Sequence, residues 1–183
     1  MNTRTLLRIG AGAAILAGVL RAAGSFAFGG SEVVRQSLYF VIDLLLLLGL
    51  FTAYAQNHDA LGPLGATGFL TGAAGILLVR SSRAIPGLDL YPAGALGVAI
   101  GWALLSVDWW RRANGAWFVL LLFVLSITTG LVGQATPRLA VLFVASGVIF
   151  GAAMVGVGYQ VLWNATAAQR NDAEPTLHKF SKG

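Results

Sequence analysis

Residues 36–54 read QSLYFVIDLLLLLGLFTAY, an almost unbroken apolar run interrupted by a single acid, Asp43. A helix needs about 20 mostly apolar residues to cross the hydrocarbon core of a bilayer, and this stretch has that length. On either side of it the same pattern recurs. Comparable runs lie at Thr5–Phe28, Leu61–Val79, Leu90–Val107, Ala116–Gly133 and Leu139–Trp163. The segments between them are short and rich in breakers: Gly29-Gly30-Ser31, Asn57-His58-Asp59, Ile85-Pro86-Gly87, Ala113-Asn114-Gly115 and Thr136-Pro137. Short connections make consecutive helices antiparallel neighbours. The sequence therefore predicts an all-α, polytopic integral membrane protein, a bundle of six transmembrane helices in three hairpins. Residues 1–166 form its single domain, and the polar residues 167–183 are expected to be a mobile tail.

Composition supports this reading. Of 183 residues, 57% are hydrophobic and 10% charged, and the mean hydropathy is +0.77. A soluble domain carries about 25% charged residues, so a water-soluble globule and a disordered chain are both excluded. With Cys 0, disulfides, thiolate metal sites, iron–sulfur clusters and a cysteine nucleophile are excluded. The lysines, Lys179 and Lys182, lie in the tail, so no helix offers one for a retinal Schiff base. The histidines, His58 and His178, lie outside the apolar runs, which excludes a haem held between membrane histidines. No cofactor and no metal is expected. The net charge of +5 is spread over loops and helix ends. That placement suits anionic lipid and the control of topology, not nucleic acid.

The first helix has a competing reading. Arg4 and Arg8 precede an apolar segment, and Ser25-Phe26-Ala27 imitates a small-x-small cleavage site. Arg21 interrupts the segment ahead of that site, so an uncleaved helix is preferred. Orientation rests on Lys and Arg. With the N-terminus inside, the inner side holds Arg4, Arg8, Arg111, Arg112, Arg170, Lys179 and Lys182, and the outer side holds Arg21, Arg35, Arg80, Arg83 and Arg138. Tyr54, Trp109, Trp110, Trp117, Tyr159 and Trp163 gather at the inner edge as an aromatic belt. Both termini are expected to be cytoplasmic, in the cell membrane.

Asp43 is the residue most in need of explanation, because a lone carboxylate near the bilayer centre costs about 2.5–3.5 kcal/mol on insertion scales. It needs a partner, water or a proton. Arg21 is the expected partner, since both residues lie roughly 10 Å below the same edge on consecutive antiparallel helices. Ala14, Gly18, Arg21 and Ser25 share one face of the first helix, and that face is small enough for close approach. Tyr39, one turn from Asp43, is in position to donate a hydrogen bond. Arg21, Asp43 and Tyr39 thus form either a structural ion-pair clasp or a solute or proton site. Arg35, Arg80 and Arg83, with Glu32, Asp89 and Tyr91 nearby, make an outer basic edge that snorkelling arginines explain and that also suits an anion or lipid headgroup.

The remaining polar residues are less specific. Asn57, His58, Asp59 and Asp108 at the inner edge lack the spacing of a metal or acid–base motif such as His-Glu-x-x-His, so no catalytic residue is assigned. Ser126, Thr128, Thr129 and Ser146 can return their hydroxyls to backbone carbonyls and do not mark a pore. Asn164-Ala165-Thr166 matches a glycosylation sequon on the inner side and is read as accidental. Gly68-x-x-x-Gly72, Gly97-x-x-x-Gly101 and Gly147-x-x-x-Gly151 put small residues on one face of helices three, four and six, for packing within the chain or between copies. A faint two-helix repeat pairs residues 18–21 with 77–80 and 37–39 with 89–91. Units of two helices do not invert in the membrane as transporter repeats do.

The leading expectation for function is a non-enzymatic accessory or structural membrane subunit. Membrane lipids, another membrane protein or a second copy of the chain are its expected partners. A small transporter or channel, with Arg21, Asp43 and Tyr39 as a polar gate, is the alternative, followed by a lipid-modifying enzyme at the His58–Asp59–Asp108 edge.

Overall fold

A computed structural model describes residues 3–26, 31–81, 89–113, 115–139 and 141–173. They form six α-helices and one short 3₁₀ turn: α1 Thr3–Gly24, α2 Glu32–Asn57, α3 Pro63–Ser81, α4 Tyr91–Ala113, α5 Trp117–Ala135 and α6 Val141–Ala173, with the turn at Pro137–Leu139 before α6. All six helices are long and apolar enough to cross a membrane. The chain is a six-helix membrane bundle.

The helix ends follow local chemistry rather than hydropathy. Ser31 precedes α2 in extended conformation and its side chain accepts from the Val34 N–H, with Glu32 in the positive first turn. The helix therefore starts ahead of the apolar run that begins at Gln36. Pro63 opens α3, where a missing N–H costs nothing. The Asp89 carboxylate accepts from the Tyr91 N–H at the start of α4. At its far end α6 continues through Ala173, past the expected end at Trp163 and through part of the expected tail. Residues 174–183 of that tail lie outside the described residues, as does Arg83.

The three hairpins pack as expected, but the tightest neighbours are not all consecutive. The most extensive interface joins α3 to α4, and α1 packs more extensively on α6 than on α2. Contacts between α2 and α3 are sparser, so the bundle closes as a ring with one loose seam. Glycine explains the two tight crossings. A Cβ on Gly101 would overlap the Gly72 backbone, and one on Gly75 would lie 2.8 Å from the Gly94 carbonyl oxygen. Across the ring, a Cβ on Gly158 would lie 2.6 Å from the Ala11 carbonyl oxygen. Small residues let backbones touch where lipid and side chains offer no difference in hydrophobicity. The small face of α1 expected to receive α2 turns largely to α6, with Gly18 on Gly151 and Ser25 on Gly147. Ala14 alone of that face reaches Gly49 of α2.

The interior is filled. Ala11, Ala14, Ala17, Ile42, Leu50, Trp102, Phe123, Met154 and Val157 are buried, while Leu48, Leu70, Leu121 and Phe143 point outward. Apolar side chains thus face both the interior and the outer surface, as a bundle surrounded by lipid requires. Trp102 of α4 stacks on Phe123 of α5 with centroids 5.7 Å apart, and Phe123 meets Phe150 of α6 edge-on at 5.5 Å. Three hydroxyls of α5 are spent on backbone: Thr128 and Thr129 donate to Val124 and Leu125, and Ser126 donates across to the Ser146 carbonyl at 3.0 Å.

Candidate functional site

Two carboxylates stand out in the folded bundle, one within the membrane span and one at its edge. Asp43 belongs to the stripe Asp43, Leu47, Leu50 and Tyr54 of α2, spaced at i, i+4, i+7 and i+11. That stripe faces α3. Leu50 lies against Gly72, where a Cβ would be 3.2 Å away, and Tyr54 stacks on Phe69 at 4.5 Å. The carboxylate therefore meets α3, and its partner is Arg80: Nε donates to Oδ2 at 2.7 Å. The guanidinium also covers the Phe40 ring at 5.1 Å, a cation–π contact one turn before Asp43. The Asp43 side chain is 15% exposed and that of Arg80 35%. The pair bridges the loose α2–α3 seam and one side of it reaches the bundle surface.

The expected Arg21–Asp43 pair is thus corrected to Arg80–Asp43. Depth alone favoured both arginines. Asp43 lies about 14 residues, roughly 21 Å, from Asn57, and Arg80 about 17 residues, roughly 26 Å, from Pro63 on the antiparallel neighbour. A long arginine side chain spans the difference. Arg21 acts on Asp43 through charge at longer range, and its guanidinium carbon lies near Gly147, 3.9 Å from where a Cβ would stand. Tyr39 does not join the carboxylate. Its hydroxyl donates to the Gly24 carbonyl at 3.3 Å and ties α2 to the end of α1. Arg35 pairs with Glu32 on its own helix, exposed to solvent. The outer basic residues therefore split, with Arg35 in a surface pair and Arg80 in the membrane clasp.

The second carboxylate, Asp108, is 3% exposed and sits one turn before the end of α4. Its Oδ2 accepts from the Gly62 N–H at 2.6 Å and the Gly65 N–H at 2.9 Å, and its Oδ1 accepts from Arg112 Nε at 2.7 Å. It caps the N-terminus of α3 from another helix, meeting orphan donors of the first turn with a negative charge at the positive end of the dipole. Gly62 and Gly65 are what allow it: a Cβ on Gly65 would lie 2.8 Å from the Asp108 carboxylate, and one on Gly62 2.7 Å from the Arg112 guanidinium. Sequence reasoning missed this role. The available signals were the i,i+4 spacing of Asp108 and Arg112 and the Gly-Pro step at 62–63, neither of which names the facing helix.

His58 does not complete an acid–base set with Asp108. One ring nitrogen lies 3.1 Å from exposed Asp59, and the other 2.9 Å from the Ala55 carbonyl. Among the described residues, no three His, Asp or Glu side chains gather as metal ligands. Comparison with known proteins finds no matching family, no matching curated protein and no matching solved structure.

Proposed function

We propose that this chain is a non-enzymatic membrane subunit, a compact scaffold in the cell membrane with both termini cytoplasmic. Membrane lipids and either another membrane protein or a second copy are its partners. The supporting observation is how its two enclosed carboxylates are spent. Asp43 bonds α2 to α3 through Arg80, and Asp108 bonds α4 to α3 through Gly62 and Gly65. Each charge is used in holding helices together. A transporter reading draws on one feature, the Asp43–Arg80 pair within the span, one side of which reaches the bundle surface. The expected gate residue Tyr39 bonds elsewhere, which weakens that reading. For a lipid-modifying enzyme the geometry offers little, because the Asp108 oxygens are already taken by backbone and arginine.

Proteoliposomes carrying a trapped pH-sensitive dye test the choice. The scaffold reading expects proton flux equal to that of empty vesicles, with Asp43→Asn altering only thermal stability. A proton flux that Asp43→Asn abolishes while the helical fold is retained would replace it with the transporter reading.

A further inference from the structure

Trp102, Ser106 and Trp109 fall at i, i+4 and i+7 of α4, on one stripe of the helix. They are 0%, 4% and 3% exposed. Both indole Nε1–H groups and the Ser106 hydroxyl are buried with no hydrogen-bond partner among the protein groups, and near the same edge the side-chain carbonyl of Gln56 is in the same condition. Other buried polar side chains of the bundle behave differently. Thr52 donates to Leu48, Asn57 to Ala53 and Ser126 to Ser146, in each case to a backbone carbonyl. An N–H or O–H left unmet inside a membrane bundle carries its full desolvation penalty. Three on one stripe make a consistent set of donors facing the same interior.

The surroundings define what meets them. The walls are apolar: Trp102 lies on Phe123, and Leu105 and Val119 are buried in the same core. The stripe itself carries two N–H donors and one hydroxyl and no charge, so its ligand is neutral and accepts hydrogen bonds. The donors are enclosed among buried apolar side chains, so the ligand is small. We propose that this stripe binds ordered water, in series over roughly 10 Å of α4 from Trp102 near mid-height to Trp109 near the Ala113 end. Buried waters make about three hydrogen bonds each to such groups. In this arrangement water accepts from each indole, and the Ser106 hydroxyl, both donor and acceptor, links the two. The proposal stands apart from the scaffold reading, since structural water serves a scaffold and a transporter alike.

Water–indole cross-relaxation in the ¹⁵N-tryptophan-labelled protein, held in lipid nanodiscs, provides the test. The exposed Trp110, Trp117 and Trp163 are assigned with single Phe variants, which leaves the signals of Trp102 and Trp109. Both are expected to show cross-peaks to water. Ser106→Ala is expected to weaken them and to lower the melting temperature, because it removes a water ligand. Loss of any water contact at both indoles in the unaltered protein would overturn the proposal. So would a Ser106→Ala protein that melts higher with unchanged indole signals, since deleting a dry, unmet hydroxyl relieves a penalty.

Discussion

The Asp108 carboxylate lies 2.6 Å from the Gly62 backbone nitrogen, so a side chain on α4 supplies the cap that α3 lacks in its own sequence. Removing it exposes two backbone donors and one arginine at once. Asp108→Ala is expected to destabilise the bundle by about 2–3 kcal/mol. Asp108→Asn keeps an acceptor but loses the charge and is expected to cost about 1 kcal/mol. Thermal unfolding in detergent, followed by circular dichroism, measures both.

The clasp at Asp43 predicts an asymmetric set of variants. Arg80→Leu strands the carboxylate and is expected to cost about 2.5–3.5 kcal/mol. The double change Asp43→Leu, Arg80→Leu is expected to recover more than half of that, because a broken ion pair costs more than an absent one. Arg21→Leu is expected to cost less than about 1 kcal/mol, as it touches Asp43 only through long-range charge. Melting temperatures of the four proteins decide whether Arg80 or Arg21 is the partner.

The two tight crossings predict position-specific glycine effects. Gly101→Ala puts a methyl into the Gly72 backbone and is expected to destabilise by about 1–3 kcal/mol. Gly12→Ala is the control, since a Cβ there meets nothing within 4 Å. It is expected to be neutral or to stabilise α1 by up to about 1 kcal/mol through helix propensity. The same melting assay compares them.

Topology has a direct test because the chain has Cys 0. With cytoplasmic termini, a single cysteine replacing exposed Asp59 is expected to resist a membrane-impermeant maleimide added to intact cells and to react after lysis. A cysteine replacing Ser31 at the opposite edge is expected to react in intact cells. The reverse pattern would assign the opposite orientation.

The six helices were legible in the sequence because hydropathy over about 20 residues is a strong one-dimensional signal. Asp43 was legible for the same reason, as an acid where lipid tolerates none. Its partner was not. α2 has an antiparallel neighbour before it and another after it in the chain, and equal depth on antiparallel helices qualifies Arg21 of α1 and Arg80 of α3 alike. Choosing between them needs the rotation of α2 about its axis. Only the neighbours Phe69 and Gly72 fix that rotation, by placing Leu50 and Tyr54 against α3. Asp108 shows a different limit. Its partners are backbone N–H groups, and backbone donors of another helix leave almost no mark in sequence. The small-residue motifs fell between these cases: the glycines announced close packing, while the pairing of α1 with α6 emerged only from the fold.

That pairing has a consequence for how the protein is made. Helix α1 leaves the ribosome first, yet the surface it fits, around Gly151 and Gly158, belongs to the sixth helix. About 117 residues separate the end of α1 from the start of α6, roughly 6–23 s of synthesis at typical elongation rates. Throughout that interval the narrow side of α1, with Arg21 on it, faces lipid or the insertion machinery, without its final neighbour. Ring closure therefore waits for α6, and a chain lacking that helix leaves the small face of α1 uncovered.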